Sequence, residues 1–237
     1  MQMFVLPVLL QPEVGANLLI PFNDGTATDV VTPSRVISSD ANIYLRSANH
    51  MGNFKGFTSV VSTNLATSGY AITDMTGIST IGASSVDYTL EFWIANSILN
   101  SGALIRMLSG VNSVFSCTMN VSTVSVSGAN FTALTLRSAN SLRHKWRHIA
   151  MVRDAVNATA TMYFDGTLIE TITATNNNRP ITNVDIAYKP STSGLYNETY
   201  INFFALTLGK KYTTNFNPLG ATGFDKYYLD NITGYCS

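Results

Sequence analysis

Two runs of alternating apolar and polar residues, TATMYF and TLIETIT, flank a single Asp-Gly pair, Asp165-Gly166. A two-residue type I′ turn needs positive φ at both central positions, which Asp tolerates and Gly adopts freely. The pair therefore predicts an antiparallel hairpin, and a chain that must extend a sheet around it. Other segments carry the same signature: YTLEFWIA, VFSCTMNVSTVSVSG, FTALTLRS and HIAMVR are rich in β-branched and aromatic residues and are separated by Gly, Asn, Ser and Asp clusters. That spacing is the one expected of a sandwich or barrel, and regular helix is hard to find. On the strand before the hairpin, Trp146, His148, Ala150 and Val152 share one face, and Arg147, Ile149, Met151 and Arg153 share the other. Apolar residues on both faces predict a central strand between two layers, with its ends at the polar rim.

With 237 residues the chain can form one large all-β domain or two small ones, and its core needs no disulfide or metal. No internal repeat or compositional break marks a linker. Charged residues make up only 12%, about half the usual share, so solubility must rest on Asn, Ser and Thr. Fourteen basic residues balance fourteen acidic ones, which argues against nucleic acid or an anionic membrane surface as partner. No apolar run reaches transmembrane length, so no membrane insertion is expected. Cys117 and Cys236 have no zinc-type spacing, and a long-range disulfide between them is possible but not expected. The opening MQMFVLPVLLQPEVG lacks a basic n-region and a small-x-small cleavage site, and Pro7 interrupts its apolar run. It is read as an extended arm that packs on a neighbour or caps its own sheet, rather than as a secretion signal.

Five segments in order resemble a known family. DYTLEFWIA (Asp87 to Ala95), KWRHIAMVRD (Lys145 to Asp154) and TMYFDGTLI (Thr161 to Ile169) resemble three recurrent strands of the laminin-G-like, concanavalin-A-like jelly roll. LYNETYINFFALTLGKKYTTNFNPLG (Leu195 to Gly220) and ANLLIPFNDGTATDVV (Ala16 to Val31) are similar to the ends of such domains in structural proteins of tailed bacteriophages. The resemblance implies an all-β, two-sheet antiparallel β-sandwich at residues 16–220, between an N-terminal arm at 1–15 and a C-terminal tail at 221–237. Function follows less directly, because this fold hosts lectins, hydrolases, adhesion modules and virion parts.

Hydrolases on this fold use two carboxylates projecting from one strand, about 5 Å apart in retaining enzymes. The equivalent strand here offers Glu91 and no second carboxylate two or four residues away, so no enzyme activity is expected. His144 and His148 have no metal-ligand set around them, and His50 is distant in sequence. His148 and Trp146 are read as framework residues. The basic residues Arg143, Lys145, Arg147, Arg153, Lys210 and Lys211, the last two placed in a turn before the final strand, are read as a solvated rim. The Asn-x-Ser/Thr triplets at Asn120, Asn130, Asn157, Asn197 and Asn231 are expected by chance at this composition. Relatives often bind calcium at the sandwich rim, so calcium is possible at Asn23, Asp24 and Asp29, although Ile201-Asn202 replaces a pair of acids common in the family.

The expected role is a non-enzymatic structural or decoration protein of a bacteriophage virion, located on the particle at the capsid surface, a head fibre or the tail. Its partners would be other virion proteins and itself, and the family suggests a trimer. Phe4, Leu6, Leu9, Tyr227, Tyr228 and Tyr235 in the terminal arms would anchor those contacts. The alternative is a lectin-like adhesion module for host or environmental glycan, which exposed aromatics and loop Asn would serve.

Overall fold

The computed structural model describes residues 15–20, 22, 27–39, 43–47, 58–62, 69–83, 85–96, 102–119, 122–129, 131–138, 146–175, 178–187 and 199–218. Residues 1–14 of the N-terminal arm, the C-terminal tail and the six expected anchors lie outside the described residues. Every element with defined bounds is a strand: β1 (Ala16–Ile20), β2 (Ile37–Ser39), β3 (Ile43–Ser47), β4 (Thr58–Ser62), β5 (Tyr70–Ile72), β6 (Tyr88–Asn96), β7 (Gly102–Ser109), β8 (Asn112–Met119), β9 (Thr123–Gly128), β10 (Phe131–Ser138), β11 (Arg147–Asp154), β12 (Thr159–Phe164), β13 (Thr167–Thr173), β14 (Asn183–Ile186) and β15 (Thr199–Leu208).

They form two antiparallel sheets. The first runs β13-β12-β11-β6-β15-β4-β3, with β1 also paired to β15; the second runs β10-β9-β8-β7-β14-β5-β2. β4 pairs with the start of β15 at Tyr200 and Ile201, and β1 with its end from Phe204 to Thr207. A register shift between Asn202 and Ala205, with Phe203 at positive φ, separates the two partners on one strand edge.

Alternation decides which side chains meet. Leu90, Phe92 and Ile94 of β6, Ile149 and Met151 of β11, and Met162 and Phe164 of β12 point between the sheets. Facing them are Ile105 and Met107 of β7, Phe115 and Cys117 of β8, Val124 and Val126 of β9, and Val184 and Ile186 of β14. Each large side chain so buried contributes roughly 1.5–3 kcal/mol. Cys117 is a buried thiol, and burial pushes its pKa up. The Asp165-Gly166 turn has φ of 51° and 72°, as type I′ requires, and pairs Phe164 with Thr167.

VFSCTMNVSTVSVSG forms the β8–β9 hairpin, in which Ser116 pairs with Ser127. Two expectations need correction. Lys210 and Lys211 follow β15, the last described strand, rather than preceding a final one. The basic residues are also not uniformly a solvated rim. Arg153 is buried, bonding the Thr159 carbonyl at 2.9 Å and the Asp154 carbonyl, and Lys211 turns inward. Arg143 and Lys145 lie outside the described residues.

Candidate functional site

On β6 the residues facing away from the core are Thr89, Glu91, Trp93 and Ala95, and all four are buried. What covers Thr89 and Glu91 is the segment that leaves β15. Residues 209–218 form a strap across the outer face of the first sheet, from β6 to the β12–β13 turn. At the near end the Gly209 amide donates to the Asp87 carbonyl at 2.8 Å, and the Thr89 hydroxyl donates to the Gly209 carbonyl at 2.9 Å. At the far end the Phe216 amide donates to the Gly166 carbonyl at 3.0 Å, and the Asn215 side-chain oxygen accepts from the Leu168 amide at 2.8 Å.

Between these ends the strap closes over Glu91. Ala205 and Ala150 flank Glu91 in the cross-strand row, and their small side chains leave room for Lys211 and Tyr212 to descend. Lys211 Nζ donates to Glu91 Oε1 at 2.7 Å, Tyr212 donates its hydroxyl to Oε2 at 2.7 Å, and His148 Nε2 stands 3.1 Å from Oε2. Burial alone would push the Glu91 carboxyl up. The hydrogen bonds and electrostatic attraction of His148 and Lys211 more than offset it and hold the pKa at about 2. Aromatic rings complete the seal: Tyr212 stacks on Phe216 with centroids 3.5 Å apart, and Phe216 meets the edges of Tyr163 and His148 at 5.3 and 5.7 Å. Ala150, Val152, Tyr163 and Tyr212 form a second, smaller core beneath Phe216.

Chemically this is a latch. With Glu91 1% and His148 0% exposed at the side chain, neither has the solvent access that a general acid or base needs. Asp165 supports the latch from the side. Its backbone amide donates to the His148 carbonyl, and its carboxylate accepts from the His148 amide at 2.9 Å and pairs with Arg147 at 2.7 Å. Trp146 is buried, which fits the framework reading and not a stacking platform.

A family model described as the concanavalin A-like lectin/glucanases superfamily matches residues 65–200, more than half of the chain. The chain belongs to that superfamily. No curated protein matches it in sequence. Among solved structures it is similar to the binding domain of Paraclostridial Mosquitocidal Protein 1, with a TM-score of 0.68 and 11% identity over 92% of this chain and 53% of that one. The binding domain of botulinum neurotoxin serotype D gives 0.67 and 11%, over 87% and 51%. The binding domain of botulinum neurotoxin DC, solved in complex with rat synaptotagmin II, gives 0.65 and 13%, over 84% and 49%. The chain thus spans about half the length of the solved structures it matches, and at such identities the likeness is one of fold.

Within this lectin-like jelly roll, Asp29 is the one expected calcium residue that lies among the described residues. Asn23 and Asp24 lie outside the described residues. Asp29 is buried and ion-paired: Oδ2 accepts from Arg35 Nε at 2.8 Å, and Oδ1 accepts from the Leu19 and Val31 amides at 3.0 Å each. Arg35 continues to the Thr76 carbonyl at 2.8 Å and to the Asp74 carbonyl, tying the loop after β1 to the loop after β5. A guanidinium therefore stands where a cation would have to approach Asp29. Among the described residues no group of three or more His, Cys, Asp or Glu could hold a metal. His50 and His144 lie outside them, as do the triplet residues Asn120, Asn130, Asn197 and Asn231.

Sequence reasoning missed the polar groups on the outer face of the second sheet. Register places Ser127, Ser116, Arg106, Asp185, Ala71 and Ser38 in one row across five pairings, with Ser113, Leu108 and Asn183 in the row beside it. Arg106 Nε donates to Asp185 Oδ2 at 3.1 Å, with a second donor of the same guanidinium on that oxygen, and Asn183 Nδ2 donates to Asp185 Oδ1 at 2.6 Å. The period-2 alternation of β14 and β7 was the available signal, but it does not say which strands are neighbours.

Proposed function

We propose that the chain is a non-enzymatic carbohydrate-recognition domain carried on the surface of a bacteriophage virion. The observation that carries the recognition reading is the jelly roll itself with the one carboxylate of β6 locked: Glu91 is held by Lys211, Tyr212 and His148 beneath the strap. Glycoside hydrolysis needs a pair of accessible carboxyl groups flanking the bond to be cut, and Glu91 supplies neither a pair nor access. The similar solved structures add support of a coarser kind. Among them is the receptor binding domain of a botulinum neurotoxin C/D mosaic serotype, and for botulinum neurotoxin type C cell entry is described as dependent upon interaction with two ganglioside molecules. Binding purified protein to an immobilised panel of neutral and sialylated oligosaccharides tests this. Saturable binding to a defined glycan without its hydrolysis is expected, and binding to none of the panel overturns the reading.

The virion part rests on a different observation. The closing segment that resembles tailed-phage structural proteins, Leu195 to Gly220, contains both β15 and the strap, so the resemblance covers the element that completes this domain. Self-association through the terminal arms, with Phe4, Leu6, Leu9, Tyr227, Tyr228 and Tyr235 as anchors, goes with it. Mass spectrometry of purified particles checks the location, and light scattering of the full chain checks for a trimer. Absence from the particle together with a monomer in solution overturns this part and leaves glycan recognition standing.

A further inference from the structure

The two outer faces differ in what they offer a ligand. On the second sheet Arg106, Leu108, Ser113, Ser125, Ser127 and Asn183 are half-exposed, on strands whose backbones are fixed by the ladder. Two polar atoms there, Asn183 Oδ1 and Ser113 Oγ, are buried yet have no hydrogen-bond partner. Register sets them on the strands either side of Leu108, two residues along from the Arg106–Asp185 pair. A native fold rarely leaves such an atom without a use, because an unmade buried hydrogen bond is costly.

We propose that this patch is the carbohydrate site, and that it takes a neutral glycan through its hydroxyls. The inference rests on the recognition reading above and gives that reading its location. A sugar hydroxyl both donates and accepts, so it suits the half-exposed Asn183 and Ser127 side chains beside a guanidinium that is a quarter exposed, and a small shift of Asn183 on binding would open its buried, unpartnered Oδ1 to that hydroxyl. Asp185 holds both groups still: its Oδ1 fixes the Asn183 amide so that Oδ1 of Asn183 is the atom left over, and its Oδ2 fixes Arg106. Such preorganisation lowers the cost of ordering side chains on binding.

Charge decides between neutral and acidic sugars. Arg106 is already neutralised by Asp185, so the patch has no unbalanced cation with which to attract a sialic acid carboxylate. Apolar contact for the C–H face of a sugar ring comes from Leu108 and from Val111, which is 96% exposed. Val111 is held beside the patch because the Gly110 amide donates to the Thr182 hydroxyl at 2.8 Å, next to Asn183.

The test compares Asn183→Ala, Arg106→Gln and Leu108→Trp with the parent on the same panel of neutral and sialylated oligosaccharides, with thermal melting to confirm folding. Leu168→Ser, on the first sheet, serves as a control. Neutral glycans bound by the parent should bind about tenfold more weakly to each of the three patch variants and unchanged to the control. Perturbed backbone resonances on titrating the best neutral glycan should fall in 105–119 and 183–186, which keeps the site testable if a variant does not fold. Glycan binding that survives all three substitutions, or perturbations confined to the first sheet, overturns the site while leaving the recognition reading intact. Tighter binding of sialylated than of neutral sugars overturns the assignment of ligand class. No binding to the panel overturns both.

Discussion

The outer faces of the two sheets are built from the same alternation and meet opposite fates. On the first sheet Thr89, Glu91, His148 and Tyr163 point away from the core and are nevertheless buried, because the strap of residues 209–218 roofs them. On the second, β9 alternates buried Val124 and Val126 with half-exposed Ser125 and Ser127, the pattern of a sheet with one wet side. The difference teaches that a charged residue on an outward strand position is ambiguous until its roof is known. Glu91 and Asp185 occupy equivalent kinds of position, yet one is a structural latch and the other organises an open polar patch.

The sharpest way to break this comparison is to truncate both carboxylates. Glu91→Ala leaves Tyr212 and His148 as buried donors without their acceptor and should destabilise the fold by roughly 3–5 kcal/mol, the cost of breaking a buried ion pair from one side. Asp185→Ala removes the acceptor of a partly exposed Arg106 and of the Asn183 amide and should cost less, about 1–3 kcal/mol. Urea unfolding monitored by circular dichroism measures both, and equal losses would mean that the two faces are not distinct in kind.

A second variant attacks the roof without touching a charge. In Gly166→Ala the new methyl would lie 2.0 Å from the Phe216 carbonyl oxygen and 2.8 Å from the Pro218 ring, at a backbone φ of +72°. Both the contact and the conformation oppose it, so a loss of about 2 kcal/mol and a lifted strap are expected. Red-shifted fluorescence from Trp93, and faster tryptic cleavage after Lys210 and Lys211, would report the lifting.

Acid titration sharpens the same contrast more gently. The folded Glu91 pKa of about 2 lies below the usual value, so the latch contributes fully above about pH 4.5 and is lost as pH falls through about 2. Its contribution is on the order of 3 kcal/mol. The melting temperatures of wild type and Glu91→Gln should therefore converge between pH 4.5 and 2, while staying apart at pH 7. The smallest effect belongs to the second sheet: Val111→Ser, at a site 96% exposed, should change stability by less than about 0.5 kcal/mol.

Much of the fold was legible in the chain itself. Asp165-Gly166 predicted its turn, and the two apolar faces of Trp146 to Arg153 predicted a central strand, which β11 is, between β6 and β12. What could not be read was which residues would roof which. Lys211 and Tyr212 are 120 and 121 residues from the Glu91 they bind, and Arg106 is 79 from Asp185, so neither pairing leaves a local pattern. Misplacing Lys210 and Lys211 before a final strand hid the strap altogether. The alternation of β6 sets Glu91 outward, and the partners arriving from beyond β15 turn outward into buried.

The most direct test of the central claim, that Glu91 holds the fold while the second sheet holds the ligand, is one binding measurement on two folded variants. Isothermal titration of a neutral glycan into Glu91→Gln and Asn183→Ala, well below both melting temperatures, should give parental affinity for the first and about tenfold weaker binding for the second. Binding lost in Glu91→Gln and retained in Asn183→Ala would contradict it.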